Sequence, residues 1–77
     1  MHHCGMASLC VRVGRTVAHI RKTESTYSQE GLARAAKLHR TYMGLIERGK
    51  ANPSLAVIEK IARVLKVTPA RLMSDSE

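Results

Sequence analysis

The stretch SQEGLARAAKLHRTYMGLIERGK, residues 28–50, decides the fold. Its first residue, Ser28, is typical of a helix N-cap, because a serine hydroxyl can accept a hydrogen bond from a backbone N–H that the first turn leaves free. A helix is therefore predicted from Gln29 to Ala36. Its apolar residues recur at helical spacing and predict an inner face of Leu32, Ala33 and Ala36.

A second helix is predicted directly after the first, from Arg40 to about Arg48. The residues between them, 37–39, leave room only for a short turn. Gly49 predicts the C-terminal stop, since glycine readily adopts the left-handed conformation that ends many helices. The residues of this helix predicted to face the core are Tyr42, Met43 and Ile46.

Upstream of this pair, one more helix is predicted. Residues 1–8 have no hydrophobic periodicity and are expected to form a flexible N-terminal segment. The helix then runs from Leu9 or Val11 to Thr23. Its inner face, at spacings of four and three, consists of Val13, Val17 and Ile20.

Downstream, two further helices are predicted. Ser54 is a second N-cap and begins a helix over residues 55–65. Thr68 followed by Pro69 begins a short fifth helix that ends near Met73, because proline is favoured at the first helical position. The apolar stripe predicted for the fourth helix is Leu55, Ile58, Ile61, Ala62 and Leu65.

The chain is therefore predicted to be all-α, a compact five-helix bundle. Its 77 residues suffice for one domain around one core. The domain is expected over residues 9–74, between the flexible segment and a tail at 75–77. No apolar run could cross a bilayer and no signal-peptide pattern is present, so a cytoplasmic location is expected. In that compartment Cys4 and Cys10 should be free thiols.

The charge of the chain indicates a polyanionic partner, whereas no residue pattern indicates catalysis. Thirteen Lys and Arg against six Asp and Glu give a net charge of +7. Nine basic and three acidic residues between Arg12 and Lys50 leave +6, while four and three between Ala51 and Glu77 leave +1. The first part is thus predicted to face DNA. No enzyme activity, cofactor, metal site, membrane contact or small-molecule ligand is expected.

Four stretches together carry a resemblance to a known family: SQEGLA, RTYMGLIERGK, NPSL and VTPARL, each opening or forming a predicted helix. Over residues 28–72, and more loosely over 13–72, the chain resembles the Cro- and phage-repressor-like (xenobiotic-response-element-type) helix-turn-helix family. Within it, the chain is most similar to the controller proteins of restriction–modification systems. The resemblance implies a lambda-repressor-like DNA-binding domain that binds a palindromic operator in double-stranded DNA as a homodimer and regulates transcription.

The motif predicts which side chains meet DNA. Its first helix crosses the phosphate backbone, and its second lies in the major groove, where each base pair has a unique pattern of donors and acceptors. His39 stands where the family usually has Ser, Asp or Thr as N-cap, so a poorer cap is expected there. The residues predicted to read bases are Arg40, Thr41, Gly44 and Leu45. Those predicted to bind phosphates are Gln29, Tyr42, Arg48, Lys50 and Asn52.

Two further sets of residues are assigned structural tasks. An acid is out of place on a DNA-binding domain unless it is paired, and Glu47 is predicted to pair with Arg21, as in many members of the family. The homodimer is predicted to form through the C-terminal part, because its apolar residues exceed what a small core can bury. The predicted interface is Val57, Val64, Val67, Leu72 and Met73.

One alternative from a different functional class stays open. The chain could be an antitoxin-like protein-binding module that also binds DNA. Antitoxins of this fold usually need an extra segment that covers the toxin, and this chain has at most a short N-terminal extension, which favours the regulator.

Overall fold

Five α-helices make up the part of the chain that the structure, a computed structural model, describes: residues 7–74. They are α1 Ala7–Glu24, α2 Gln29–Ala35, α3 Arg40–Glu47, α4 Leu55–Leu65 and α5 Pro69–Met73. No strand occurs within residues 7–74, and the predicted all-α fold is confirmed. The first helix contacts each of the other four, so it forms the centre of the bundle. Nothing within the described range has the length and apolar character that a membrane span requires.

The helix boundaries differ slightly from the prediction. The first helix begins at Ala7, two residues early, so its first two residues do not belong to the flexible segment predicted for residues 1–8. The remainder of that segment, residues 1–6, and the predicted tail at 75–77 lie outside the described residues. Both α2 and α3 end one residue earlier than predicted, within the usual uncertainty of helix ends.

Local signals place the helix ends. The side chains of Ser28, Ser54 and Thr68 each accept a hydrogen bond from the backbone N–H three residues later, at 2.9, 3.2 and 3.1 Å, and so begin α2, α4 and α5. Gly49 follows the end of α3 with φ of +73°. Lys66 ends α4 in a left-handed conformation with φ of +63°. Glycine usually occupies such a position, so the sequence did not indicate this conformation at Lys66.

All five helices contribute to one hydrophobic core. The residues predicted for the inner faces of α1 and α2 are all buried, as are Met43 and Ile46 in α3. Tyr42 is half-buried and packs against the edge of the core. The prediction is wrong for Leu55, which is 60% exposed. Leu55 is the first residue of α4 and lies at the edge of the bundle, where helical periodicity does not guarantee a covering neighbour.

Helices α1 and α3 approach each other closely at Gly14, which is buried. A Cβ placed there would lie 2.0 Å from the backbone oxygen of Ile46. The absence of a side chain therefore lets the two helices cross almost backbone to backbone. This crossing brings the C-terminal half of α1, with Arg21, beside the end of α3.

The cysteine of α1 is not a free thiol, contrary to the expectation from the sequence. Cys10 is 3% exposed and disulfide-bonded. Cys4 lies outside the described residues.

A bidentate ion pair joins the end of α1 to α5. Nη1 of Arg71 donates to Oε1 of Glu24 at 2.9 Å, and Nη2 of the same guanidinium donates to the other carboxylate oxygen. The hydrogen bonds from Arg71 lower the pKa of Glu24 below its ordinary value. Both side chains are more than two-fifths exposed, so solvent screens the pair and it stabilises the fold only modestly.

Candidate nucleic-acid interface

A tight turn sets α3 against α2 and exposes the start of α3. Lys37 takes a left-handed conformation with φ of +61°, and the N–H of Leu38 donates to the Ala33 carbonyl at 2.8 Å, which ends α2. Leu38 then packs against the core. Arg40 and Thr41, both predicted to read bases, lie exposed in the first turn of α3.

His39 caps α3 in place of the usual serine, aspartate or threonine. Its backbone is extended, and its Nδ1 accepts a hydrogen bond from the Thr41 N–H at 3.1 Å. One orphan N–H of the first turn is therefore satisfied by the imidazole, and His39 acts as the N-cap of α3.

The predicted base reader Arg40 has an acidic neighbour that the sequence analysis did not single out. Nη1 of Arg40 lies 3.8 Å from Oε2 of Glu30, which also lies 3.6 Å from Nη2 of Arg34. All three side chains are more than half exposed. Exposed pairs of this kind contribute little, so Glu30 does not prevent the Arg40 guanidinium from turning towards DNA.

Gly44, predicted to read bases, has little accessible surface of its own. The residue is buried, because the side chains of Gln29 and Arg48 lie over it. It offers no side-chain donor or acceptor either. Leu45, the fourth predicted base reader, is half-buried and can present only apolar surface.

Glu47 and Arg21 form the pair that the sequence predicted. Arg21 donates from Nε to Oε2 at 2.8 Å and from Nη2 to Oε1 at 3.0 Å, and the side chains of Arg21 and Glu47 are only 11% and 5% exposed. A third donor was not foreseen: Nε2 of Gln29 donates to Glu47 Oε1 at 2.9 Å. Two nearly buried charges with three hydrogen bonds thus link α1, α2 and α3 at one point.

The hydrogen bond to Glu47 reduces the number of donors that Gln29, a predicted phosphate ligand, has available for a phosphate. One of its amide N–H groups is engaged by Glu47, which leaves the other and the backbone N–H of the first turn of α2 for a phosphate. The remaining predicted phosphate ligands follow or flank α3. Tyr42 is half-buried, whereas Arg48, Lys50 and Asn52 are exposed at the end of α3 and in the loop that follows.

The residues predicted for the dimer interface are not all accessible at the surface. Leu72 is 0% exposed and belongs to the core of this chain, so its assignment to the interface is wrong. Val67 lines a shallow depression with Arg63 and Pro69, whereas Met73 lines a different groove, beside Leu55. The half-buried residues that pack against the core but keep accessible surface are Val57, Val64, Val67 and Met73.

A model of the helix-turn-helix family matches residues 17–72, more than two thirds of the chain. The chain belongs to the helix-turn-helix family. It is 50% identical over 60 residues to the control protein C.BamHI of Bacillus amyloliquefaciens, which covers 78% of this chain and 74% of the relative. It is 40% identical over 72 residues to the control protein C.MunI of Mycoplasma sp, at 94% and 97% coverage.

A solved structure shows the same similarity in three dimensions. The restriction–modification controller protein C.AhdI from Aeromonas hydrophila superposes with a TM-score of 0.77 at 38% identity, over 82% of this chain and 94% of that protein. The family resemblance predicted from SQEGLA, RTYMGLIERGK, NPSL and VTPARL is therefore confirmed.

Proposed function

We propose that this chain is a sequence-specific, double-stranded DNA-binding transcriptional regulator that acts as a homodimer and controls a restriction–modification system. The observation that carries the proposal is the exposed start of α3, where Arg40 and Thr41 stand clear of the core on the basic part of the chain. The major groove is wide enough for a helix, and an arginine there can bind both O6 and N7 of guanine.

The contacts divide by chemistry. Arg40, Thr41 and the apolar surface of Leu45 meet base edges, while Lys50, Asn52 and the first turn of α2 bind phosphates on either side of the groove. Few of these side chains can hydrogen-bond to bases, so DNA shape contributes to sequence preference.

The names of the similar proteins support the proposed control of a restriction–modification system. Two are control proteins and one is a restriction–modification controller protein, which favours a regulator over the antitoxin-like alternative. A regulator of this kind acts where DNA is transcribed, which in a bacterium is the cytoplasm.

Selection of DNA fragments by the purified protein tests the proposal. The expected result is a palindrome whose half-sites are spaced by a whole number of helical turns. Affinity should fall by about 10³–10⁵ between 50 and 200 mM salt if 6–10 phosphates are neutralised. Selection of no common sequence, or affinity that is flat with salt, would contradict the proposal.

A pair of variants separates base reading from phosphate binding. Arg40→Ala is expected to weaken operator binding by about 1–3 kcal/mol and to relax the preference at one base pair per half-site. Lys50→Ala should weaken operator and random DNA alike and reduce the salt slope by about one unit. If both variants lose affinity equally on both DNAs, Arg40 does not read a base.

The homodimer has its own test. A single recognition helix meets too few base pairs for a useful site, and a two-fold axis doubles them. The interface proposed comprises Val57, Val64, Val67 and Met73, in the C-terminal part of the chain, where residues 51–77 have a net charge of only +1. Equilibrium sedimentation should give a dimer at tens of micromolar, and Val67→Glu should give a folded monomer with weak operator binding. A wild-type monomer on operator DNA would refute the dimer, and a dimeric Val67→Glu would place the interface elsewhere.

A further inference from the structure

The missing side chain of Gly44 leaves a niche over the middle of α3. Arg40, Gly44 and Arg48 are four residues apart and therefore lie in one row along the helix. A Cβ at Gly44 would come within 3.3 Å of Arg48 Nη1 and 3.4 Å of Gln29 Oε1. The niche is thus filled by the ends of two side chains that belong to other positions.

Arg48 fills the niche from the end of the helix. Its backbone caps α3, but its guanidinium lies over residue 44, one turn nearer the N-terminus. Side chains on a helix lean towards the preceding turn, and an arginine is long enough to cover it. Arg48 stands at the end of α3 in the sequence. Its positive charge nevertheless lies nearer the middle of the helix surface that is proposed to enter the groove.

Gln29 forms the fixed wall of the niche. Its Nε2 donates to Glu47, and Glu47 is held by two hydrogen bonds from Arg21. This contact orients the amide, so the carbonyl oxygen Oε1 is the end that faces the niche. Gln29 Oε1 and the Arg48 guanidinium therefore lie on the same side of α3, over residue 44.

We propose that Gly44 is a specificity-determining position of α3, because it seats Arg48 over the middle of the helix and so makes the Arg48 guanidinium a base reader. A side chain at position 44 would crowd the niche and shift the Arg48 guanidinium from this place, since even a Cβ would come within 3.3 Å of its Nη1. This inference rests on the proposed DNA-binding function and replaces the phosphate role predicted for Arg48. The matching base is guanine, whose O6 and N7 accept two hydrogen bonds from one guanidinium.

The test is a double-mutant cycle on the full chain. Gly44→Ala, Arg48→Ala and the double variant are titrated with the operator selected by wild type and with random DNA. Arg48→Ala should lose about tenfold or more on the operator and far less on random DNA. Gly44→Ala should also lose affinity on the operator, but less than Arg48→Ala, because a methyl group shifts the guanidinium without removing it. The double variant should bind no more weakly than Arg48→Ala, because alanine at 44 acts only through Arg48. Arg15→Ala, which removes an exposed arginine from α1, is the charge-matched control and should keep the operator-to-random ratio of wild type.

Thermal unfolding separates this effect from instability. Alanine is a better helix former than glycine, so Gly44→Ala should melt no lower than wild type while it binds the operator more weakly. Wild-type affinity of Gly44→Ala would overturn the inference, as would losses that multiply in the double variant or an Arg48→Ala loss that is equal on both DNAs. A wild-type protein that selects no sequence would instead refute the proposed function itself.

Discussion

Gly14→Ala is expected to destabilise the protein, although alanine normally stabilises a helix. The added Cβ would lie 2.0 Å from the backbone oxygen of Ile46 and 3.0 Å from that of Glu47, far inside van der Waals contact. Because both atoms belong to the backbone of α3, no side chain can rotate away, and the two helices must separate by more than about 1 Å.

The magnitude follows from two opposing effects. Overpacking costs about 1–3 kcal/mol, and the rigid backbone contact places Gly14→Ala at the upper end. Alanine recovers about 0.5–1 kcal/mol of helix propensity. The net loss is about 2 kcal/mol, which lowers the melting temperature of a domain of this size by about 8–16 °C.

Gly44→Ala is the matched control, because it makes the same substitution in a helix where the atoms nearest to the new methyl group belong to side chains, at 3.3 Å or more, and not to the backbone of another helix. It should gain about 0.5–1 kcal/mol, the propensity difference alone. Thermal unfolding followed by circular dichroism measures both variants. A Gly14→Ala protein that melts at or above the wild-type temperature would show that α1 does not cross α3 at this residue.

Three further predictions concern polar contacts. Glu47→Ala should lower the free energy of unfolding in urea by about 3–5 kcal/mol, because it leaves the nearly buried Arg21 without its partner charge. An unchanged urea midpoint would show that the pair does not stabilise the fold. The pKa of Glu24 is lowered by Arg71, so the stability that this pair contributes is complete above the ordinary value of 4.5 and is lost as pH falls through the lowered pKa. The difference in unfolding free energy between wild type and Glu24→Gln should therefore shrink on acidification. A difference that stays constant with pH would show that the Glu24–Arg71 pair does not cause it. His39→Ser should keep the cap of α3 and melt like wild type, whereas His39→Ala should lose about 1 kcal/mol; equal melting of all three proteins would mean that the cap contributes nothing.

Much of the fold could be predicted because its signals are local. A capping hydroxyl at Ser28 or Ser54 meets an N–H only three residues away, and a glycine such as Gly49 ends a helix through its own backbone. These contacts depend on no distant part of the chain, so the sequence determined the number, order and approximate ends of the helices. The family resemblance added the Arg21–Glu47 pair, which joins residues 26 positions apart.

Helical periodicity, in contrast, shows which residues share a face and not what covers that face. Leu55 continues the apolar stripe of α4 yet is exposed, while Leu72, assigned to a dimer interface, is fully buried in the core of its own chain. Gly44 lies on the face of α3 predicted to meet DNA, and two side chains from other positions cover it.

The sequence by itself therefore determined the helices, the basic character of residues 12–50, and the family. Only the tertiary structure decided that Gly14 sets the crossing of α1 and α3, that Gln29 is tied to Glu47, and that Arg48 lies over Gly44. The physical reason is the distance along the chain over which each kind of contact acts. Backbone hydrogen bonds and caps are satisfied within one helical turn, whereas close packing and buried ion pairs depend on which distant segments the folded chain brings within a few ångströms.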